Sequence, residues 1–222
     1  MLEKVVNRII RWVVRLFFRL EDEELSKLPP EGPGILVSNH TSNLEGPIIY
    51  VLIQPRSATG LAKRELWGNV ATRFFMHVWQ LIPISRGRPD PRAMQRALRA
   101  LERGQFLGIA PEGTRSRTGA LQRGYPGTAL LATAKQVPIY PVVQWGMPEV
   151  SRRLKQLRKP RLVFRVGRPF VLPKREGKRP SLNELREMTD EIMYQLALLL
   201  PEGYRGYYSD LSQRKTDYLK FL

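Results

Sequence analysis

Hydrophobic and polar positions change period several times along the 222 residues. The chain opens with MLEKVVNRIIRWVVRLFFRL, in which Lys4, Arg8, Arg11, Arg15 and Arg19 recur every three or four residues among Val, Ile, Leu, Phe and Trp12. On a helix that spacing confines the cations to an arc of roughly 80° and leaves a wide apolar surface. Further on, short apolar runs at 35–39, 81–85, 105–110, 138–145 and 161–166 predict strands. Longer mixed stretches at 46–53, 61–79, 91–103, 125–135 and 182–199 predict helices, with Pro91 in a first turn and Ser181 as an N-cap. Strand and helix signals alternate, so the fold class is α/β: a mostly parallel or mixed sheet flanked by helices, with an N-terminal amphipathic, membrane-associating helix. Pro29-Pro30-Glu31-Gly32-Pro33-Gly34 reads as a turn-rich linker. It divides an interfacial anchor at 1–28 from one domain at 29–222.

Charge sharpens this picture. The chain has 37 Lys+Arg against 20 Asp+Glu, a formal net charge of +17. Residues 1–20 carry +4 of it and residues 151–180 carry +11, so two segments hold nearly all the excess. Concentrated positive charge suits an anionic surface or a polyanionic ligand. Six charges in the first twenty residues argue against a membrane span. The acidic run at 21–24 also argues against a signal peptide, whose cleavage site is made of small residues. A helix lying in the membrane interface fits, with Arg8, Arg11, Trp12, Arg15, Phe17, Phe18 and Arg19 as its membrane-contacting residues. Cysteine is absent, which excludes disulfides, thiolate metal sites and a thiol nucleophile.

Two constellations carry candidate chemistry. Asn39-His40-Thr41-Ser42-Asn43-Leu44-Glu45 follows the first predicted strand of the domain, and ligands of open α/β sheets gather at the carboxyl ends of strands. A carboxylate five positions after a histidine, across a turn, can accept from one ring nitrogen and leave the other as a general base. Ala110-Pro111-Glu112-Gly113-Thr114-Arg115-Ser116-Arg117 follows a second predicted strand. Its glycine permits a tight turn, while its guanidinium and hydroxyl groups suit a phosphate. Arg86, after the run Ile82-Pro83-Ile84-Ser85, offers another guanidinium. Val137-Pro138-Ile139-Tyr140-Pro141-Val142 is a strand punctuated by prolines, which suits strand ends, an edge or an irregular wall.

In this order, these segments resemble the glycerolipid acyltransferase family, that of the 1-acylglycerol-3-phosphate O-acyltransferases. The resemblance covers residues 35–210 and includes Val166-Gly167-Arg168-Pro169-Phe170 and Tyr204-Arg205-Gly206-Tyr207-Tyr208. It implies that His40 is the general base and Glu45 the acid that orients it. It further implies that Arg86 and Arg115 clamp the acceptor's phosphate in a pocket shaped by Glu112, Gly113 and Thr114. Arg123 stands where the family often has lysine, and Pro138 matches a motif given acyl-chain or structural roles. One departure stands out: the family pattern is His, four residues, Asp, and here the acid is Glu45.

The implied reaction moves an acyl group directly from a thioester, acyl-CoA or acyl-acyl carrier protein, to the hydroxyl of 1-acylglycerol-3-phosphate or a related lysophospholipid. Nothing requires a bound cofactor or a metal, and no Gly-x-Ser-x-Gly elbow offers a covalent route. The expected partners are the lysophospholipid, the thioester donor and an anionic membrane surface, at the cytoplasmic face of the cell membrane as a peripheral or monotopic protein. The alternatives are a homologue with a specialised acceptor, an inactive lipid-binding homologue and a thioesterase. Nucleic acid, which the basic composition invites, is not expected as a partner: no helix-turn-helix, zinc finger or stacking-aromatic pattern is present.

Overall fold

The computed structural model of the chain describes residues 2–87, 89–173 and 179–222. Arg88, and the part of the basic segment at 174–178, lie outside the described residues. The core is a mixed sheet in which five adjacent strands are parallel: β2 (Gly34–Val37), β3 (Ala58–Lys63), β4 (Ile82–Ile84), β5 (Phe106–Ile109) and β6 (Ile139–Trp145). β1 (Arg19–Glu21) and β7 (Arg161–Val166) extend it in the opposite direction, giving the order β1-β7-β6-β2-β5-β3-β4. Two short strands, β8 (Phe170–Val171) and β9 (Lys220–Phe221), attach antiparallel beside β6. Continuous runs such as Gly34-Ile35-Leu36-Val37 belong at the centre of such a sheet, because both faces are covered.

Alternation along β2 divides the interior. Ile35 and Val37 face one core, built with α4 (Pro91–Glu102), α5 (Gly127–Lys135) and α7 (Leu182–Leu199). Leu36 faces a second core, built with α1 (Leu2–Phe17) and α2 (Glu45–Leu52). Helix starts follow the sequence signals. Asp90 accepts from Ala93 N–H at 3.1 Å ahead of α4, and Ser181 with Glu184 forms a reciprocal capping box on α7.

One predicted element is corrected. Residues 61–79 are not a single helix: β3 occupies 58–63, a 3-10 turn follows at Arg64–Gly68, and α3 is limited to Val70–Val78. Leu61-Ala62-Lys63-Arg64-Glu65 has helical propensity, but parallel pairing with β5 and β4 overrides it. Asn69 marks the true helix start, accepting from Ala71 N–H at 2.9 Å and Thr72 N–H at 3.3 Å. Three short strands (β1, β8, β9) and α6 (Val150–Lys155) carry too little pattern to be read from sequence.

Residues 2–28 pack onto the domain instead of standing apart from it. Leu25 and Leu28 are buried, β1 pairs with β7, and Arg56 donates to the Leu28 and Pro29 carbonyls at 2.6 and 2.7 Å. α1 docks through Ile10 and Val14, which join the second core, and through polar groups. Arg11 donates to Val51 O and Gln54 O, Trp79 Nε1–H donates to Asn7 Oδ1 at 2.8 Å, and Tyr50 OH donates to Glu3 at 2.8 Å. Leu2, Val5, Ile9, Trp12, Leu16 and Phe17 are left exposed. Two of the residues expected at a membrane therefore turn inward: Arg11 binds the end of α2, and Phe18 packs on the second core. Arg8, Trp12, Phe17 and Arg19 remain on the surface, as does Arg15, which pairs with Asp22 at 3.0 Å.

Candidate active site

β2 ends at Val37, and the next residues form a loop fixed from both sides. Asn39 is buried; its amide donates to Gln144 O at 2.8 Å, and its Oδ1 accepts from Gln144 N–H at 3.0 Å. This double contact ties the loop to the end of β6. From the other side, Glu112 Oε1 accepts from His40 N–H at 2.7 Å, and its Oε2 accepts from Gln122 N–H at 2.9 Å. Glu112 is 1% exposed, and burial pushes its carboxyl above the usual carboxylate range. His40 O accepts from Ser116 N–H at 2.7 Å. The histidine backbone is thus held in place before any substrate arrives.

Its ring is held as firmly. His40 Nδ1 lies 2.9 Å from Glu45 Oε2. The same carboxylate accepts from Thr41 N–H with both oxygens, at 2.7 and 2.9 Å, and from the Thr41 hydroxyl. Glu45 is 2% exposed and is the first residue of α2, where a negative charge is favoured. The methylene that distinguishes Glu from Asp is absorbed here: the side chain folds back over the Thr41 amide from a helix start. In the tautomer whose Nδ1–H donates to this carboxylate, Nε2 holds the lone pair and is the nitrogen left to take a proton.

His40 and Glu45 line a cavity of about 1460 Å³. Its walls are mainly apolar, and one side lies over cross-strand glycines: Gly60 sits opposite Gly108, and Gly108 opposite Leu36. Side chains at those two glycines would fill the space above the sheet. Tyr50 and Trp79, whose rings are 4.9 Å apart, line another part, each tied through its polar atom to α1. Arg86, Gly113 and Thr114 line the same cavity. Gly113 takes φ +64°, a turn that suits glycine at the end of β5. Burial and the nearby Arg115 hold the Arg86 guanidinium below its ordinary range against the opposing pull of Glu65, so two cations sit near one another at this side of the cavity. Upstream, Asp90 braces the turn after β4: the Ser85 and Ala93 N–H groups, with Arg64, hold its carboxyl down to about 2.

Arg115 lines an adjoining polar cleft of about 570 Å³ with Thr41, Ser42, Ser116 and Arg117. Three of the expected residues line neither this cleft nor the dyad's cavity. Glu112 is not at a phosphate but behind His40, as a positioning residue. Arg123 lines neither space and stacks 5.9 Å from the Tyr207 ring centroid. Pro138 sits at the start of β6, the opposite end of the sheet from His40, where its carbonyl accepts from Ile35 N–H at 2.8 Å. Asn39, Thr41 and Gln122 were missed; of these, only Asn39, directly before the histidine, carried a signal.

Fold and site together define an α/β enzyme with a histidine–carboxylate dyad at the carboxyl ends of parallel strands, opening on an apolar cavity with cations at one side. The chain belongs to the acyltransferase family, whose model matches residues 19–145. It is 27% identical over 144 residues to the 1-acyl-sn-glycerol-3-phosphate acyltransferase of Bacillus subtilis, covering 64% of this chain and 69% of that one. It is 30% identical over 145 residues to the human alpha form of that enzyme, covering 63% of this chain and 50% of that protein. The match to the chloroplastic form from Arabidopsis thaliana is 28% over 140 residues, 60% of this chain and 38% of that one. The crystal structure of the 1-acyl-sn-glycerophosphate acyltransferase PlsC from Thermotoga maritima shares the fold. Its TM-score is 0.60 at 23% identity, over 86% of this chain and 78% of that one.

Proposed function

We propose that the protein transfers a fatty acyl group from an acyl thioester, acyl-CoA or acyl-acyl carrier protein, to the free hydroxyl of 1-acylglycerol-3-phosphate, giving phosphatidic acid. The observation that carries this reading is the 2.9 Å contact between His40 Nδ1 and Glu45, which leaves Nε2 to the apolar cavity that Arg86 also lines. His40 Nε2 takes the hydroxyl proton as the oxygen attacks the thioester carbonyl. The carbon–sulfur bond then breaks, and the imidazolium returns the proton to the departing thiolate. Glu45 stabilises the imidazolium without taking its proton. General-base help of this kind contributes roughly 10²- to 10⁴-fold.

The acceptor is read from charge and apolarity together. The paired cations Arg86 and Arg115 suit a phosphate monoester, and the apolar wall over Gly60 and Gly108 suits an acyl chain. A lipid acceptor resides in a bilayer, and the exposed apolar face of α1, flanked by Arg8 and Arg19, supports peripheral association with an anionic membrane at its cytoplasmic face. No helix among the described residues is long and apolar enough to cross a membrane.

The test is a mass-spectrometric assay. Palmitoyl-CoA and palmitoyl-acyl carrier protein are each offered with 1-acylglycerol-3-phosphate, other lysophospholipids, glycerol-3-phosphate or no acceptor. Acylation of 1-acylglycerol-3-phosphate above the rest supports the reading. Free palmitate alone identifies a thioesterase, and another preferred acceptor reassigns the substrate.

A further inference from the structure

Beyond the carboxyl end of β6 the chain forms α6, then an exposed tip at 156–159 before returning along β7. α6 ends in a two-bond cap: Leu157 N–H donates to Leu154 O and Arg158 N–H to Arg153 O, both at 3.0 Å. The turning residue of such a cap is left-handed and usually glycine, because a Cβ there costs roughly 1 kcal/mol or more. Here it is Leu157, at φ +53° and 97% exposed. It accepts an unfavourable backbone and makes almost no contact within the protein. Leu154 is exposed beside it. Lys155, Arg158 and Lys159 surround them, exposed and without an acidic partner among the described residues.

The tip adjoins the C-terminal end of α1. Arg19 N–H donates to Pro160 O at 2.8 Å, and Arg19 lies opposite Arg161 in the β1–β7 pair. Val163 pairs with Trp145, so Arg161 projects past the carboxyl end of β6, the end at which His40 follows β2. Phe17, Leu154 and Leu157 therefore share the rim of the sheet that carries the dyad.

We propose that Leu154 and Leu157, ringed by Lys155, Arg158, Lys159 and Arg19, form a second bilayer-contacting element that joins the outward face of α1 in one surface for anionic phospholipid. This rests on the membrane association proposed above and adds to it a second contact, which sets the dyad end of the sheet against the lipid. Apolar side chains enter the acyl boundary while lysine and arginine stay with anionic headgroups. Acyl carrier protein, the other acidic occupant, is less well suited: a protein surface would cover Leu157 only with a complementary apolar pocket, whereas a bilayer supplies one everywhere.

The chain has no cysteine, so Leu157→Cys can carry a single environment-sensitive dye. The proposal predicts a blue shift on phosphatidylcholine vesicles containing phosphatidylglycerol, and none with acyl carrier protein. Leu157→Asp should bind those vesicles about tenfold more weakly, with turnover on detergent-dispersed acceptor unchanged. Leu157→Gly separates membrane contact from folding: its Tm should rise while its vesicle affinity falls. A dye that stays in water while the wild type sediments with vesicles overturns the proposal and leaves the role of α1 standing. Wild-type affinity in Leu157→Asp does the same. A response to acyl carrier protein alone also overturns it, and a wild type that ignores the vesicles overturns both readings.

Discussion

Helices α4 and α1 both carry strong apolar stripes, and they point them in opposite directions. In α4, Ala93, Ala97, Ala100 and Leu101 are buried against the sheet while Arg92, Arg96 and Arg99 face water. In α1 the inward contacts come from Glu3, Asn7, Arg11 and the core residues Ile10 and Val14, and the outward face is Leu2, Val5, Ile9, Trp12, Leu16 and Phe17. α4 is completed by its own domain. α1 is fastened to the domain by hydrogen bonds and by Ile10 and Val14, and turns most of its apolar side chains outward. The dyad loop uses buried polar groups in a related way. Asn39, Glu45 and Glu112 bind backbone amides at the sheet's end, so His40 is held in place by hydrogen bonds to its loop.

The sharpest way to break this contrast is to truncate one residue in each helix. Leu101→Ala should cost about 2–4 kcal/mol in urea unfolding and leave vesicle binding alone. In α1, Asn7→Ala leaves the Trp79 Nε1–H unpaired inside the protein and should cost about 1–3 kcal/mol. It should also shift the donor preference toward longer acyl chains, measured by competition between acyl-CoA lengths, because Trp79 lines the cavity. Trp12→Ser reverses the pattern of Leu101→Ala: unfolding should be nearly unchanged while affinity for anionic vesicles falls about tenfold. Two smaller effects probe the polar clamps. Asp90→Ala should lose about 1 kcal/mol of stability near neutral pH. The folded carboxyl sits at about 2, below its ordinary value of 3.8, so this contribution is full above the unfolded value and lost as pH falls through the folded one. Urea curves of wild type and variant should therefore converge in strong acid. The mildest change is Glu45→Asp, which should keep transfer within about tenfold of wild type, whereas Glu45→Gln, which loses the charge, should lose more.

Much of this was legible in the sequence, for identifiable reasons. Strands such as 34–37 and 106–109 announce themselves by continuous apolar runs, and Pro91 and Ser181 announce helix starts through local chemistry. The second half of β3 reads as helix because Leu61-Ala62-Lys63 prefer one, and pairing with β5 and β4 makes it a strand. In the site, His40 and Glu45 are five residues apart, so their contact is local and readable. The brace from Glu112 spans 72 residues, and the Asn39–Gln144 clamp spans 105; such contacts leave no spacing to detect. Arg11 is assigned from the basic stripe it belongs to, and Arg123 from the resemblance alone. The fold sends one to the Val51 carbonyl and the other to the Tyr207 ring.

The most direct test of the central claim follows isotope-labelled 1-acylglycerol-3-phosphate and palmitoyl-CoA by mass spectrometry, in wild type and in His40→Ala. Wild type should convert the label to phosphatidic acid, and His40→Ala should slow that conversion about 10²- to 10⁴-fold with an unchanged unfolding curve. Undiminished conversion in the correctly folded His40→Ala, or release of palmitate with no labelled product in wild type, would contradict it.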